Sequence, residues 1–96
     1  MSVPEMKENA DGSKVWWLNW NRHRTDGPAV EWPNGTKEWR LNGFLHRNDG
    51  PAIEWSTGTK EWWLNGEKVT WFEVYCFNLR TGDIQTAERI LAMPKQ

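Results

Sequence analysis

A single cysteine, Cys76, stands in the 96 residues, so no internal disulfide can brace this fold and nothing in it calls for an oxidising compartment. Inside an apolar segment, that thiol reads as a small buried hydrophobe. No apolar run approaches the ~18 residues of a membrane helix, and MSVPEMKEN at the start has no apolar signal core. The expectation is a soluble, cytoplasmic chain with no membrane partner. An excess of one charge is lacking too, since 12 Lys and Arg face 13 Asp and Glu. Gripping long DNA or RNA draws on a surplus of cations that displaces counterions, so a long nucleic acid is not expected. A small anionic ligand such as a nucleotide needs only two or three well-placed cations. Histidine is scarce, with two residues. No nucleophile stands beside a base and no third ligand falls at metal spacing, so the sequence predicts no catalytic site, no metal and no cofactor.

What the chain has in abundance is tryptophan, nine residues in all. A chain this short forms one domain, 1–96, and buries a modest share of its surface; each buried indole then removes roughly 150–250 Å² from water. The indoles are periodic. GSKVWWLNW at Gly12, GTKEWRLNG at Gly35 and GTKEWWLNG at Gly58 recur every 23 residues, with TDGPAVEW and NDGPAIEW at one offset between them. A residue recurring in register belongs first to a stacking unit, because each unit buries its apolar face on its neighbours.

AVEW (29–32) and KEWRLN (37–42) alternate apolar and polar residues as half-buried strands do. Asn34-Gly35 between them reads as a two-residue hairpin turn, with equivalents at Asp11-Gly12 and Thr57-Gly58. That register sets Val30 opposite Trp39 and Ile53 opposite Trp62. One face would then hold Trp16, Trp39 and Trp62 with Leu18, Leu41, Leu64, Val30, Ile53, Trp32 and Trp55. The other would carry Trp17, Arg40 and Trp63 in a row, with Glu31 facing Glu38 and Glu54 facing Glu61, a repulsive arrangement needing a nearby cation. A second turn falls at Asn42-Gly43 and Asn65-Gly66. In the first unit it is Asn19-Trp20, where Trp cannot cheaply adopt positive φ, so this turn is expected to differ and to present an indole at its tip.

The repeat sheet spans 6–66, with Met6–Asn9 as a degenerate first strand. After Gly66 the pattern breaks, and Thr70-x-x-Glu73 is a capping box opening a helix from Trp71 to Arg80. A second helix, Asp83–Met93, takes Asp83 as N-cap and stops before Pro94; together the two form a C-terminal cap over 70–93. The first is apolar nearly all round, which predicts burial on more than one side, against the sheet and second helix or against another copy. The predicted fold is mainly β (β+α), a meandering antiparallel sheet of three 23-residue hairpin repeats closed by two short helices.

On these motifs the segment from Gly12 to Gly66 resembles the MORN repeat, in the bacterial and phage variant where NG-x-x-HRxDGPA-x-E-[YW]-x-NG recurs. Trp32, Trp39, Trp55 and Trp62 stand where that family more often has Tyr. The resemblance implies an extended meandering sheet used for binding, without an inherited active site, and an accessory role of the phage or antitoxin-like kind.

The candidate binding residues are Trp17, Trp20, Arg40 and Trp63, whose flat faces and guanidinium can stack on a ligand or partner, with His23, Arg24, His46 and Arg47 of the two HRxD motifs. The bland reading of HRxD is structural, with Asp capping its own turn and Arg pairing with acids of the next unit. Two functions follow. The first is a non-enzymatic module binding a protein partner or itself, as a homo-oligomer, through its Trp-rich sheet face and apolar C-terminal helices. The second is a small-ligand binder sequestering a nucleotide through these Trp, Arg and His groups at a subunit junction.

Overall fold

The computed structural model describes residues 3–95. Its strands are β1 (Glu5–Glu8), β2 (Lys14–Leu18), β3 (Asn21–Arg22), β4 (Val30–Glu31), β5 (Lys37–Glu38), β6 (Arg40–Leu41), β7 (Phe44–Leu45), β8 (Ile53–Glu54), β9 (Lys60–Leu64) and β10 (Glu67–Val69), followed by helices α1 (Trp71–Thr81) and α2 (Ile84–Ala92). The fold is mainly β. An antiparallel eight-stranded sheet runs in the order β1-β2-β4-β5-β8-β9-β10, with β3 also on β2 and a separate β6–β7 ladder.

Two kinds of turn build each unit, and they differ in length. Asn42-Gly43 and Asn65-Gly66 hold positive φ at both residues, 51° and 86°, then 51° and 81°. They are the two-residue hairpin turns, joining Leu41 to Phe44 and Leu64 to Glu67. The connection at Asn34-Gly35 is longer than expected. Pro33 has no N–H with which to close a two-residue loop, but Ala10 and Ser56, at the same point of the other units, have one and stand in the same longer loop, so proline accompanies this turn without causing it. The Trp32 N–H donates to the Thr36 carbonyl (2.9 Å) and the Gly35 N–H to the Trp32 carbonyl (3.0 Å), making a three-residue loop in which Gly35 alone takes positive φ, 95°. Thr57-Gly58 repeats this geometry, and there the Ser56 N–H donates to Thr36 Oγ1 of the preceding unit.

One extra loop residue moves the register by one and re-sorts the faces. Val30 lies opposite Glu38, not Trp39, and Ile53 opposite Glu61, not Trp62. Val30, Ile53, Trp32 and Trp55 therefore leave the face of Trp16, Trp39 and Trp62. The expected apposition of Glu31 with Glu38 and of Glu54 with Glu61 does not occur. In its place acids and bases alternate across the sheet as register partners: Glu8, Lys14, Glu31, Lys37, Glu54, Lys60. None of these register partners closes to ion-pair distance, since the Glu31 and Glu54 carboxylates turn to Arg24 and Arg47, so the alternation acts on register, by avoiding like charges across the strands, more than on stability.

The HRxDGPA segments cross from one strand pair to the next and lock it. Arg24 lies 3.9 Å over the Trp16 ring and Arg47 3.9 Å over Trp39. Arg47 donates from Nε to Asp49 (2.8 Å) and from Nη1 to the Pro51 carbonyl (3.0 Å) and Glu54 (3.1 Å). Arg24 makes the same three bonds with Asp26, Pro28 and Glu31. The glycine of the motif gives that guanidinium room, since a Cβ on Gly50 would sit 2.7 Å from Arg47 Cζ. Each histidine ties its unit to the next: His23 Nδ1 accepts the Asn42 N–H (2.9 Å) and His46 Nδ1 the Asn65 N–H (3.0 Å).

No third arginine covers Trp62. Its place is taken by α1 and α2, which bury the indole against Val74 and Ile90, with Leu64, Val69, Trp71, Tyr75 and Met93 around them. The capping box forms, with the Glu73 N–H donating to Thr70 Oγ1, and Gly82 ends α1 at φ 88°. Asp83 caps α2 by accepting the Thr86 N–H. Buried Asn78 donates to the Asn48 carbonyl (2.6 Å), fastening α1 to the second HRxD loop. Burial of α1 on several sides is not what forms, because Phe72 and Leu79 are exposed and Cys76 is half-buried. Among the described residues no helix is long and apolar enough to cross a membrane.

Candidate functional site

Asn19 and Trp20 correct an expectation of the repeat. Trp20 does not change its turn but adopts the glycine conformation, φ 68° after Asn19 at 51°, so that Leu18 pairs with Asn21 as in the other units. Left-handed backbone costs a non-glycine residue about 1–2 kcal/mol. The strain is not offset by packing, because Trp20 is 96% exposed. An indole held outward at an energetic loss is the kind of outlier from which function is inferred.

Around it lies an open groove of about 630 Å³ lined by Glu5, Lys7, Asn9, Trp17, Asn19 and Trp20. Trp17 pairs across the ladder with Glu5 on one side and Arg22 on the other. The Arg22 guanidinium lies 5.7 Å from its ring. Glu5 and Lys7 share Trp17's face by strand alternation, so this corner combines two indole faces with one carboxylate, one ammonium and two amides. The repeat rules pointed to Trp17 and Trp20. They gave no signal for Glu5, Lys7 and Asn9, which come from the degenerate strand outside the repeat match.

Arg40 and Trp63 share their face with Trp17's repeat position but are held by acids. Glu38 accepts from Trp32 Nε1 (3.1 Å) and Arg40 Nε (2.9 Å), and Arg40 Nη1 donates to the Gly43 carbonyl (2.9 Å). Glu61 accepts from Trp55 Nε1 (2.8 Å) and Trp63 Nε1 (3.0 Å). Val15 occupies the equivalent position in the first unit, so no carboxylate pins Trp17. Trp32 and Trp55 line a second shallow groove with Pro33, Asn34, Thr36 and Glu38. The role of Glu38 and Glu61 in fixing indoles depends on the observed register, which sets them opposite Val30 and Ile53 and not opposite other acids.

His23, Arg24, His46 and Arg47 are not brought to the Trp17–Trp20 corner. They sit in the crossing loops, where both guanidiniums are engaged by Asp, Glu and carbonyl partners and both Nδ1 atoms accept backbone N–H bonds. Arg24 and Arg47 line a cleft of about 510 Å³ between successive loops, with His46, Asp26 and Asp49. Among the described residues no group of three or more His, Cys, Asp or Glu is placed to hold a metal ion.

Burial pushes the His46 pKa below its ordinary value. The neutral ring is the form whose Nδ1 can accept from Asn65, so protonation breaks a link between units. A lowered folded pKa means that His46's contribution is complete above about 6.5, the unfolded value, and is lost as pH falls through the folded one. The melting temperature is expected to decline from pH 7 towards pH 5. His46→Asn, which keeps an acceptor near Nδ1 but does not titrate, should flatten that decline; an unchanged slope in differential scanning fluorimetry would reject the link. Asp11 and Asp83 are also lowered, by the Ser13 and Thr86 hydroxyl and N–H donors, and they act in a separate window below about 3.8.

Comparison of the chain with family models, with curated proteins and with solved structures finds no match in any of the three.

Proposed function

We propose that the chain is a non-enzymatic binding module that takes a protein partner at the Trp17–Trp20 corner of its sheet, in the cytoplasm, where its lone thiol stays reduced. The observation that carries this reading is Trp20: an almost fully exposed indole on backbone that a glycine would adopt without strain. It adds nothing to folding, and tryptophan leads the side chains that anchor protein interfaces. Trp17 lines the same groove, so two indoles stand among polar groups there, the mixture found at an interface. The arrays of hairpins resembling MORN repeats fit the same use, a rigid sheet that displays side chains.

The nucleotide-sequestering reading is less favoured. Arg24, Arg40 and Arg47 hold internal carboxylates and carbonyls through Nε and Nη1, and at the Trp17–Trp20 corner the charges of Lys7 and Arg22 are offset by Glu5, which would repel a phosphate.

A random peptide library displayed against the intact chain tests the proposal. Selection is expected to enrich binders that lose about 30-fold or more in affinity on Trp20→Gly, the signature of an anchor residue worth about 2 kcal/mol. The same variant should melt several degrees higher, because relief of about 1 kcal/mol of strain raises the midpoint of a domain this size by roughly 4–8 °C. Binders indifferent to Trp20 and Trp17, or indole fluorescence that responds to nucleotides or sugars and not to peptides, would overturn it.

A further inference from the structure

The edge beside this corner is open. Strand β1 is last in the sheet, pairs only with β2 among the described residues, and exposes all four side chains. Its hydrogen-bond phase is fixed by the Asn9 N–H donating to the Ser13 carbonyl (2.8 Å). In an antiparallel ladder, bonded and non-bonded pairs alternate, so Lys7 and Glu5 direct their backbone groups at β2. Met6 and Glu8 direct theirs away from it, to solvent.

The charge row that crosses the sheet stops at this edge. Every inner member has an opposite charge on both sides, as Glu31 does between Lys14 and Lys37 and Glu54 between Lys37 and Lys60. Glu8 has Lys14 on one side and nothing on the other. The repeat itself shows which strand fits such a vacancy. Glu54, the residue 46 positions on at the same point of the repeat, receives Lys37, with Glu38 next along.

Resting on the binding-module reading above, we infer that β1 accepts an extended segment of a partner protein as an added antiparallel strand, with Lys or Arg opposite Glu8. The next residues of that segment follow from β1. An acid falls opposite Lys7, an apolar residue opposite Met6, and a second Lys or Arg opposite Glu5. Side chains alternate between faces, so the acid and the second cation lie on the side of Trp17 and Trp20. There a guanidinium can pair with Glu5 and stack on an indole, as Arg24 and Arg47 do within the chain. Main-chain bonds to Met6 and Glu8 supply affinity and the alternating charges supply register, the division of labour in strand addition. The charges on β1 also discourage indiscriminate pairing by apolar strands.

A second copy is a poorer occupant. A second copy's β1, meeting this one about Met6, would set Glu5 and Lys7 of each copy opposite Lys7 and Glu5 of the other, but it leaves Glu8 opposite Pro4, which offers neither a charge nor an N–H. Of the chain's other Lys-Glu strands, Lys37-Glu38 is paired on both sides. Lys60-Glu61 has one free side, but Trp62, Trp63 and Leu64 directly after it are already paired with β10. It therefore offers β1 two residues where a foreign segment offers four.

The test is amide hydrogen exchange on the intact chain with the blocked peptide Thr-Lys-Glu-Val-Arg-Thr as probe. Exchange at Met6 and Glu8, the two outward amides, is expected to slow by about tenfold or more at saturating peptide, while Lys7, already bonded to β2, changes little. Glu8→Lys should weaken the peptide by about three- to tenfold, and replacing the peptide's Lys with Glu should restore it. Unchanged exchange at Met6 and Glu8, with library binders still lost on Trp20→Gly, would sink strand addition and leave the binding module standing. Concentration-dependent assembly abolished by Lys7→Glu or by Lys60→Glu would make the occupant a second copy and overturn the proposal equally.

Discussion

Trp62→Ala is expected to remove about 3–5 kcal/mol of stability, the range for truncating a well-buried large aromatic. Trp62 is 5% exposed and sits where the sheet meets both helices, between Val74 of α1 and Ile90 of α2. Those helices have 11 and 9 residues, too short to persist in water without packing. The loss should therefore appear locally as well as globally. Amides of α1 and α2 are expected to exchange near the rate of unfolded peptide while the β2–β4–β5 ladder stays protected, because Trp16 and Trp39 keep their own covers. Thermal melts followed by circular dichroism at the helical minimum, set beside hydrogen exchange, decide the matter. A variant that melts as the parent does would mean that the helices are held by something other than this indole.

Arg47→Met should cost about 2–3 kcal/mol, by a different route. The methionine keeps most of the aliphatic stem but removes the stack on Trp39, worth roughly 0.5–2 kcal/mol, and leaves the buried Pro51 carbonyl without its donor, about 1 kcal/mol or more. The ion pairs to Asp49 and Glu54 add less, since their carboxylates are 56% and 35% exposed and water replaces the guanidinium there. Arg24→Met is the internal control. Its contact with Glu31 is longer, 3.5 Å against 3.1 Å for Arg47 with Glu54, and Arg47 alone lies in the loop whose Asn48 carbonyl accepts from Asn78 of α1. Urea denaturation should rank parent, Arg24→Met and Arg47→Met in falling order. Equal stability of Arg47→Met and parent would show the HRxD guanidinium to be decoration.

The two helices were legible to within a residue or two at their ends because caps are local chemistry: Thr70, Glu73, Gly82 and Asp83 act within their own turn of chain. The HRxDGPA motif was legible as structural, since Arg with Asp and Glu in a tight turn needs no distant partner. Its stack on the tryptophan of the preceding strand was not, because nothing in the motif says which surface it crosses. The site was half legible. Trp17 and Trp20 stood out by type and by departure from the repeat, whereas Lys7 and Glu5 joined them only through the pairing of β1 with β2. Arg40, Trp63 and the HRxD residues have the same chemistry as a ligand site, but the arginine Nε and Nη1 atoms, the histidine Nδ1 atoms and Trp63 Nε1 are engaged inside the protein.

The amino-acid sequence alone determined the period of the array, the strands, the hairpins and the two capped helices, because each depends on neighbours a few residues away. The pairing register and everything downstream of it were decided in three dimensions. Each turn at Asp11-Gly12, Asn34-Gly35 and Thr57-Gly58 closes as a three-residue loop, and an apposition of like acids becomes an alternating row that ends, with one side open, at Glu8. A period-two pattern fits either register equally well along a single strand; only closure of the turn against its partner distinguishes them.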